Sequence, residues 1–188
     1  MRATDSPGRA LLARARNAVA IPLYAPPVAE PDHPSMARSG ATFVTVYTAG
    51  ALRGCVGSLS ATRALDEDVR ANAHAAAFRD PRFPPLTAIE FAATRFEVSL
   101  LGPASPLAAA SEAQAIAALV PHHDGVTLCW RDYRATLLPQ VWSSLPDPAD
   151  FLRVLKRKAG LPANFWAPEL RLERYAVTRF DEDSEAIA

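Results

Sequence analysis

The sequence predicts an α+β fold, an antiparallel sheet with flanking helices, and two observations carry that prediction. Short β-branched or aromatic runs are joined by turn residues, as where Thr42–Thr48 passes through Ala49-Gly50 into Leu52–Leu59. Helical periodicity is confined to segments set apart from these runs, which favours hairpins with separate helices over a parallel sheet. The chain has 188 residues, enough for one domain over 1–188 with room for two lobes on a shared core.

In chain order, Ser6-Pro7 reads as a helix start, and Leu11, Leu12, Ala15 and Val19 share one face of a helix to about Ala20 that Pro22 closes. Residues 25–40 hold Pro26, Pro27, Pro31 and Pro34 and read as an irregular segment. After the hairpin, Thr62 is placed to cap a helix from about Ala64 to Phe78, with Asp66, Glu67 and Asp68 near its positive end and Leu65, Val69, Ala73 and Ala76 as its apolar stripe. Pro81, Pro84 and Pro85 exclude helix and central strand from the loop Arg79–Pro85. Phe96, Val98 and Leu100 alternate in a strand, and Ser111-Glu112-Ala113-Gln114 reads as a capping box opening a short helix. Val126, Leu128 and Trp130 share a strand face, with Ala135–Leu138 pairing back. Asp147-Pro148 starts a helix with Phe151, Leu152 and Leu155 inward and Gly160 as its stop, and Leu170–Phe180 reads as one last strand.

Apolar residues make up 49% of the chain, but 38 of them are alanine, so the core rests on scattered Leu, Val and aromatic positions. Twenty basic residues balance twenty acidic ones, and four of the acids, Asp181, Glu182, Asp183 and Glu185, sit in the tail 181–188. The body is therefore 20 − 16, or about +4, too weak for a nucleic-acid footprint, and no nucleic-acid partner is expected. No apolar stretch approaches the ~20 residues of a membrane span. Cys55 and Cys129 supply neither a disulfide framework nor a metal-site spacing, so the chain reads as cytoplasmic with reduced thiols and without metal or cofactor. There is no phosphate-cradling glycine loop, no Gly-x-Ser-x-Gly elbow and no Cys-x-x-Cys.

The most unusual segment is Leu52-Arg53-Gly54-Cys55-Val56-Gly57. Two glycines weaken a strand unless something approaches the backbone closely, whether a chain segment, a bulge or a ligand. Period two places Arg53 and Cys55 on one face, where an arginine would favour the thiolate. Cys55 is therefore either a reactive group or a small buried hydrophobe, whereas Cys129, among apolar residues, reads as inert. Arg79, Asp80 and Arg82 form either an anion clamp or an internal brace. His74 lies beside an apolar stripe and reads as a rim residue, and His122-His123-Asp124-Gly125 is either a His–carboxylate pair or a polar turn.

The glycine-cysteine hexapeptide resembles the signature of the AMMECR domain family. Ala75–Phe83, Glu97–Leu101, Asp124-Gly125-Val126, Ala135–Trp142 and Lys158–Leu161 resemble its other blocks in order, from about residue 8 to 180. The resemblance implies an α+β fold with a larger and a smaller lobe around a cleft. It also implies a bacterial or archaeal form belonging to the so-called AmmeMemoRadiSam set, whose companions are a Memo-like protein and a radical S-adenosylmethionine enzyme. Histidines 74, 122 and 123 fall outside the family pattern. Two main readings follow. In the first the protein is an accessory or interaction module that docks one of those companions through 25–40 and the loop 79–85. In the second it is a thiol-dependent enzyme or enzyme component, with Cys55 as nucleophile or thiol carrier and Arg53 stabilising the thiolate; Gly54, Gly57, Arg79, Asp80 and Arg82 are the candidate substrate- or partner-binding residues. A small-molecule carrier using the cleft is a third.

Overall fold

The computed structural model describes residues 6–184, and Glu185 of the acidic tail lies outside them. The first helix, α1 (Gly8–Ala20), carries the expected stripe but is buried almost all round, with Ala10, Ala13 and Ala20 also enclosed. Ser6 accepts a hydrogen bond from the Gly8 N–H at 3.2 Å. The helix does not stop at Pro22: a 3-10 turn, Ile21–Leu23, continues to Tyr24, which closes it in the left-handed region at φ 56°. The proline-rich segment lies along α1 because the Asn17 side chain treats it as a strand, accepting from the Val28 N–H (2.8 Å) and donating to the Val28 carbonyl (2.9 Å). It is irregular apart from a 3-10 turn at Pro34–Ala37 and β1 (Ser39–Gly40).

The hairpin forms where expected, as β2 (Thr42–Thr48) and β3 (Ala51–Gly57), its tip being Ala49 and Gly50, both at positive φ. Next come β4 (Arg63–Ala64), paired with β1, and α2 (Leu65–Phe78). Thr62 is not the cap of α2: Ala64 holds that position, and the Leu65 N–H donates to the Arg38 carbonyl (2.8 Å), because the β1–β4 pairing brings Arg38 to the helix end. A short α3 (Ala88–Phe91) follows, and β5 (Thr94–Leu101) completes this part.

Residues Gly102–Val177 form a second unit. It contains β6 (Ser105–Pro106), α4 (Glu112–Ala118), β7 (Gly125–Trp130), β8 (Tyr133–Leu137), α5 (Pro148–Lys158) and β9 (Arg171–Tyr175). The chain then rejoins the first unit through β10 (Val177–Asp181). The expected single strand from Leu170 to Phe180 is thus two, divided at Ala176, whose carbonyl accepts from the Gly102 N–H at 2.8 Å. The halves enter different antiparallel sheets, of order β10-β5-β2-β3 and β6-β9-β7-β8.

Each unit has its own core. In the first, α1 and α2 pack Leu11, Leu12, Val19, Val69 and Ala73 with Val44, Val46, Phe96 and Val98 of the sheet. In the second, Trp142 stacks on Phe151 with ring centroids 3.8 Å apart, among Leu128, Leu152 and Leu155. Arg16 anchors the returning strand. Its guanidinium binds Glu182 through two nitrogens (2.6 and 2.7 Å) and lies 5.2 Å from the rings of both Phe91 and Phe96. Among the described residues no helix is long and apolar enough to cross a membrane.

Candidate functional site

Val44 and Val46 of β2 are fully buried toward the helices, so Thr45 between them takes the opposite face of the sheet, and Cys55 pairs with Thr45 across the hairpin. Cys55 is half-buried, and its sulfur accepts a hydrogen bond from the Thr45 hydroxyl at 3.4 Å. It is not sealed in the apolar core.

β3 is an edge strand, and at Cys55 its outward polar groups are covered by a loop instead of another strand. The Cys55 N–H donates to Asp80 Oδ2 (2.9 Å), and Arg82 Nη2 reaches the Cys55 carbonyl (3.4 Å). Arg82 and Asp80 lock together through Nε–Oδ1 (2.9 Å) and Nη2–Oδ2 (2.6 Å). The brace reading of this loop is therefore the geometry observed, and Arg82 already has its carboxylate. Arg79 is exposed and forms no ion pair among the described residues.

Arg53 lies elsewhere than period two places it. The β2–β3 register runs Val46 to Gly54 and Tyr47 to Leu52, which leaves Arg53 as the extra residue of a bulge. Bulges re-aim side chains. The Arg53 guanidinium binds Glu90 (2.9 and 3.3 Å) and the carbonyls of Pro84 (2.6 Å) and Pro85 (3.3 Å). Arg82 is the arginine whose guanidinium reaches Cys55, at its carbonyl, beside its closer pairing with Asp80.

The two glycines answer to neighbours in the fold. A Cβ on Gly54 would lie 1.9 Å from the Ala76 carbonyl oxygen, so this glycine lets α2 approach the sheet, and a Cβ on Gly57 would meet the Phe43 ring at 2.2 Å. Of the residues singled out in the sequence, the structure gathers Cys55, Asp80 and Arg82. His74 instead packs on Phe78, with centroids 4.9 Å apart.

Three further residues, Tyr47, Glu97 and Arg179, carry no motif in the sequence. Glu97 pairs in register with Thr45 on the other side of β2, so Cys55, Thr45 and Glu97 cross the sheet in one row, and the Arg179 guanidinium lies 3.4 Å from Glu97. Burial raises the Glu97 carboxyl above its ordinary range, and burial together with Glu97 raises the Tyr47 hydroxyl. The alternation that puts Val44, Val46, Phe96 and Val98 in the core already assigns Tyr47 and Glu97 to the other face. Among the described residues no three metal-ligating side chains converge.

The loop's carboxylates make its attachment acid-sensitive. Arg82, aided by the Cys55 and Arg82 N–H groups, holds Asp80 well below the usual carboxylate range. Arg53, with the N–H and hydroxyl of Thr87, lowers Glu90 to about 2. Both values are depressed in the folded state, so their contribution is full above the unfolded values and is lost as pH falls through the folded ones. Urea midpoints of the wild type and Glu90→Gln are expected to differ at about pH 6 and to converge toward about pH 2. A gap that stays constant across that range would refute the role assigned to Glu90.

The AMMECR1 family model matches residues 12–180. A Thermotoga maritima protein is 37% identical over 147 residues, covering 76% of this chain and 78% of that one. A Methanothermobacter thermautotrophicus protein is 37% identical over 143 residues, covering 75% and 74%. The crystal structure of the uncharacterized protein PH0010 from Pyrococcus horikoshii is similar with a TM-score of 0.82 at 28% identity, over 94% of this chain and 91% of that one. With the match running from residue 12 to 180, through both units, the chain belongs to the AMMECR1 family.

Proposed function

We propose that this protein is an accessory component that docks a partner protein on the ledge formed by the start of β3, the loop 79–87 and α3. One observation carries the reading: apolar side chains stand exposed on a backbone that is already held in place. Ile89 is 90% exposed and Leu52 42%, with Pro84 and Pro85 also exposed. They flank the Arg53–Glu90 pair, and the same guanidinium holds the carbonyls of both prolines. Exposed apolar groups on pre-organised backbone favour association, because little conformational entropy is lost on binding. The partners the resemblance implies, a Memo-like protein or a radical S-adenosylmethionine enzyme, are the candidates for this ledge.

Co-purification with each of these partners tests the proposal. Ile89→Asp is expected to abolish association while changing stability by less than about 0.5 kcal/mol, since the side chain touches solvent. Cys55→Ser is expected to leave association intact. The hydrogen bond from Thr45 to the Cys55 sulfur favours a second, thiol-based reading. That reading replaces the first if Cys55→Ser removes the partners' function and Ile89→Asp does not.

A further inference from the structure

The second unit holds a cavity of about 300 Å³ that the docking ledge does not involve, lined by Ser105, Val120, His123, Asp124, Arg174 and Tyr175 together with Pro103 and Ala176. At its base Asp124 is 2% exposed and rigidly held. Its Oδ2 accepts the Val120 N–H (2.9 Å), its Oδ1 lies 3.0 Å from His123 Nδ1, and its carbonyl accepts from Trp142 Nε1 (2.7 Å). A carboxylate only accepts, so Nδ1 carries the proton and Nε2 is the ring nitrogen left for another partner. His123 is presented by a turn closed on the Val120 carbonyl, within which His122 stands at φ 63°.

Arg174 is the second lining group with unused capacity. It sits in β9 between Ser105 of β6 and Val126 of β7, and among the described residues its guanidinium makes one distant ion pair, 3.9 Å to Asp124 Oδ2. Arg16, Arg53, Arg70 and Arg82 differ, each presenting two nitrogens to one carboxylate. The Arg174 fork is thus available to an oxyanion, its most complementary partner. The negative charge of Asp124 beneath is answered by the Val120 N–H, the imidazole and Arg174 itself. The volume is at the small end of ligand sites.

We infer that this cavity binds a small molecule bearing a phosphate or carboxylate group, with the oxyanion on Arg174 and a hydroxyl of the same molecule donating to His123 Nε2. The sequence reading of 122–125 as either a polar turn or a His–carboxylate pair resolves here into both. The turn aims the pair into the cavity.

The test is an NMR titration of ¹⁵N-labelled protein with inorganic phosphate, and separately with acetate, at ionic strength held constant with chloride. Saturable shifts are expected at Ser105, Val120, His123 and Tyr175 with at least one of the two anions, and which anion saturates distinguishes the headgroups. Arg174→Gln is expected to weaken binding at least about tenfold and Arg174→Lys less, because a lysine keeps the charge but not the fork. His123→Gln, at a side chain 68% exposed, is expected to weaken the binding of phosphate, whose hydroxyl can donate to Nε2, while leaving the fold unchanged. Arg131→Gln, elsewhere in the same unit, should have no effect. Shifts that fail to saturate with either anion, or that Arg174→Gln leaves as they are, would overturn the inference.

Discussion

Gly54→Ala is expected to destabilise the protein by about 3 kcal/mol or more, at the upper end of what overpacking costs. The added methyl would sit 1.9 Å from a backbone oxygen of α2 and 2.9 Å from the carbonyl carbon, both of Ala76. A crowded side chain can change rotamer, but a helix backbone can only retreat. Retreat of α2 separates Leu65, Val69, Ala73 and Ala76 from the sheet together, since all four are buried on that interface. Gly50→Ala is the matched control: nothing lies within 4 Å of its Cβ position, and its φ of +79° alone opposes a side chain. That control should cost about 1 kcal/mol. Chemical denaturation of the two variants decides the matter, and similar losses would refute the close-approach account.

Asp68→Ala is expected to cost about 3–5 kcal/mol, the range for removing one partner of a buried charged network. Asp68 is fully buried and accepts five hydrogen bonds. They come from the Thr42 N–H (2.8 Å) and hydroxyl (2.7 Å), the Asn72 amide (2.9 Å), the Ser58 hydroxyl (2.6 Å) and Arg63 Nε (3.0 Å). It therefore joins the start of β2, the end of the hairpin, β4 and α2 at one atom pair. The loss is a large part of the 5–15 kcal/mol that usually separates folded from unfolded chains. Asp66→Asn, two residues earlier and part-exposed beside Arg14 and Arg70, should lose about 1 kcal/mol or less. Equal effects at 66 and 68 in urea denaturation would show that Asp68 serves the helix dipole alone.

That contrast marks where sequence reading stops. Asp66, Glu67 and Asp68 look alike along the chain, three acids at the positive end of a helix. Only the packing of β2 against α2 decides that one of them is an enclosed hub. The α3 helix was within reach, since Thr87-Ala88-Ile89-Glu90 is a capping box and both of its hydrogen bonds form. The break at Ala176 was not, because neither glycine nor proline marks it. The resemblance to the family was legible in the ordered blocks. The surroundings of the cysteine were not, because a bulge at Arg53 shifts the pattern by one residue and turns that side chain to Glu90.

By itself the sequence determined the α+β class, the hairpin, the main helices and the unusual character of residues 52–57. These follow from period, turn chemistry and the cost of glycine in a strand, all local quantities. Tertiary structure alone decided that the apolar residues divide into two cores, that Asp80 and Arg82 cap a sheet edge, and that His123 and Arg174 meet over Asp124. Those outcomes depend on which distant backbone groups need partners once strands are paired, and no local pattern encodes that.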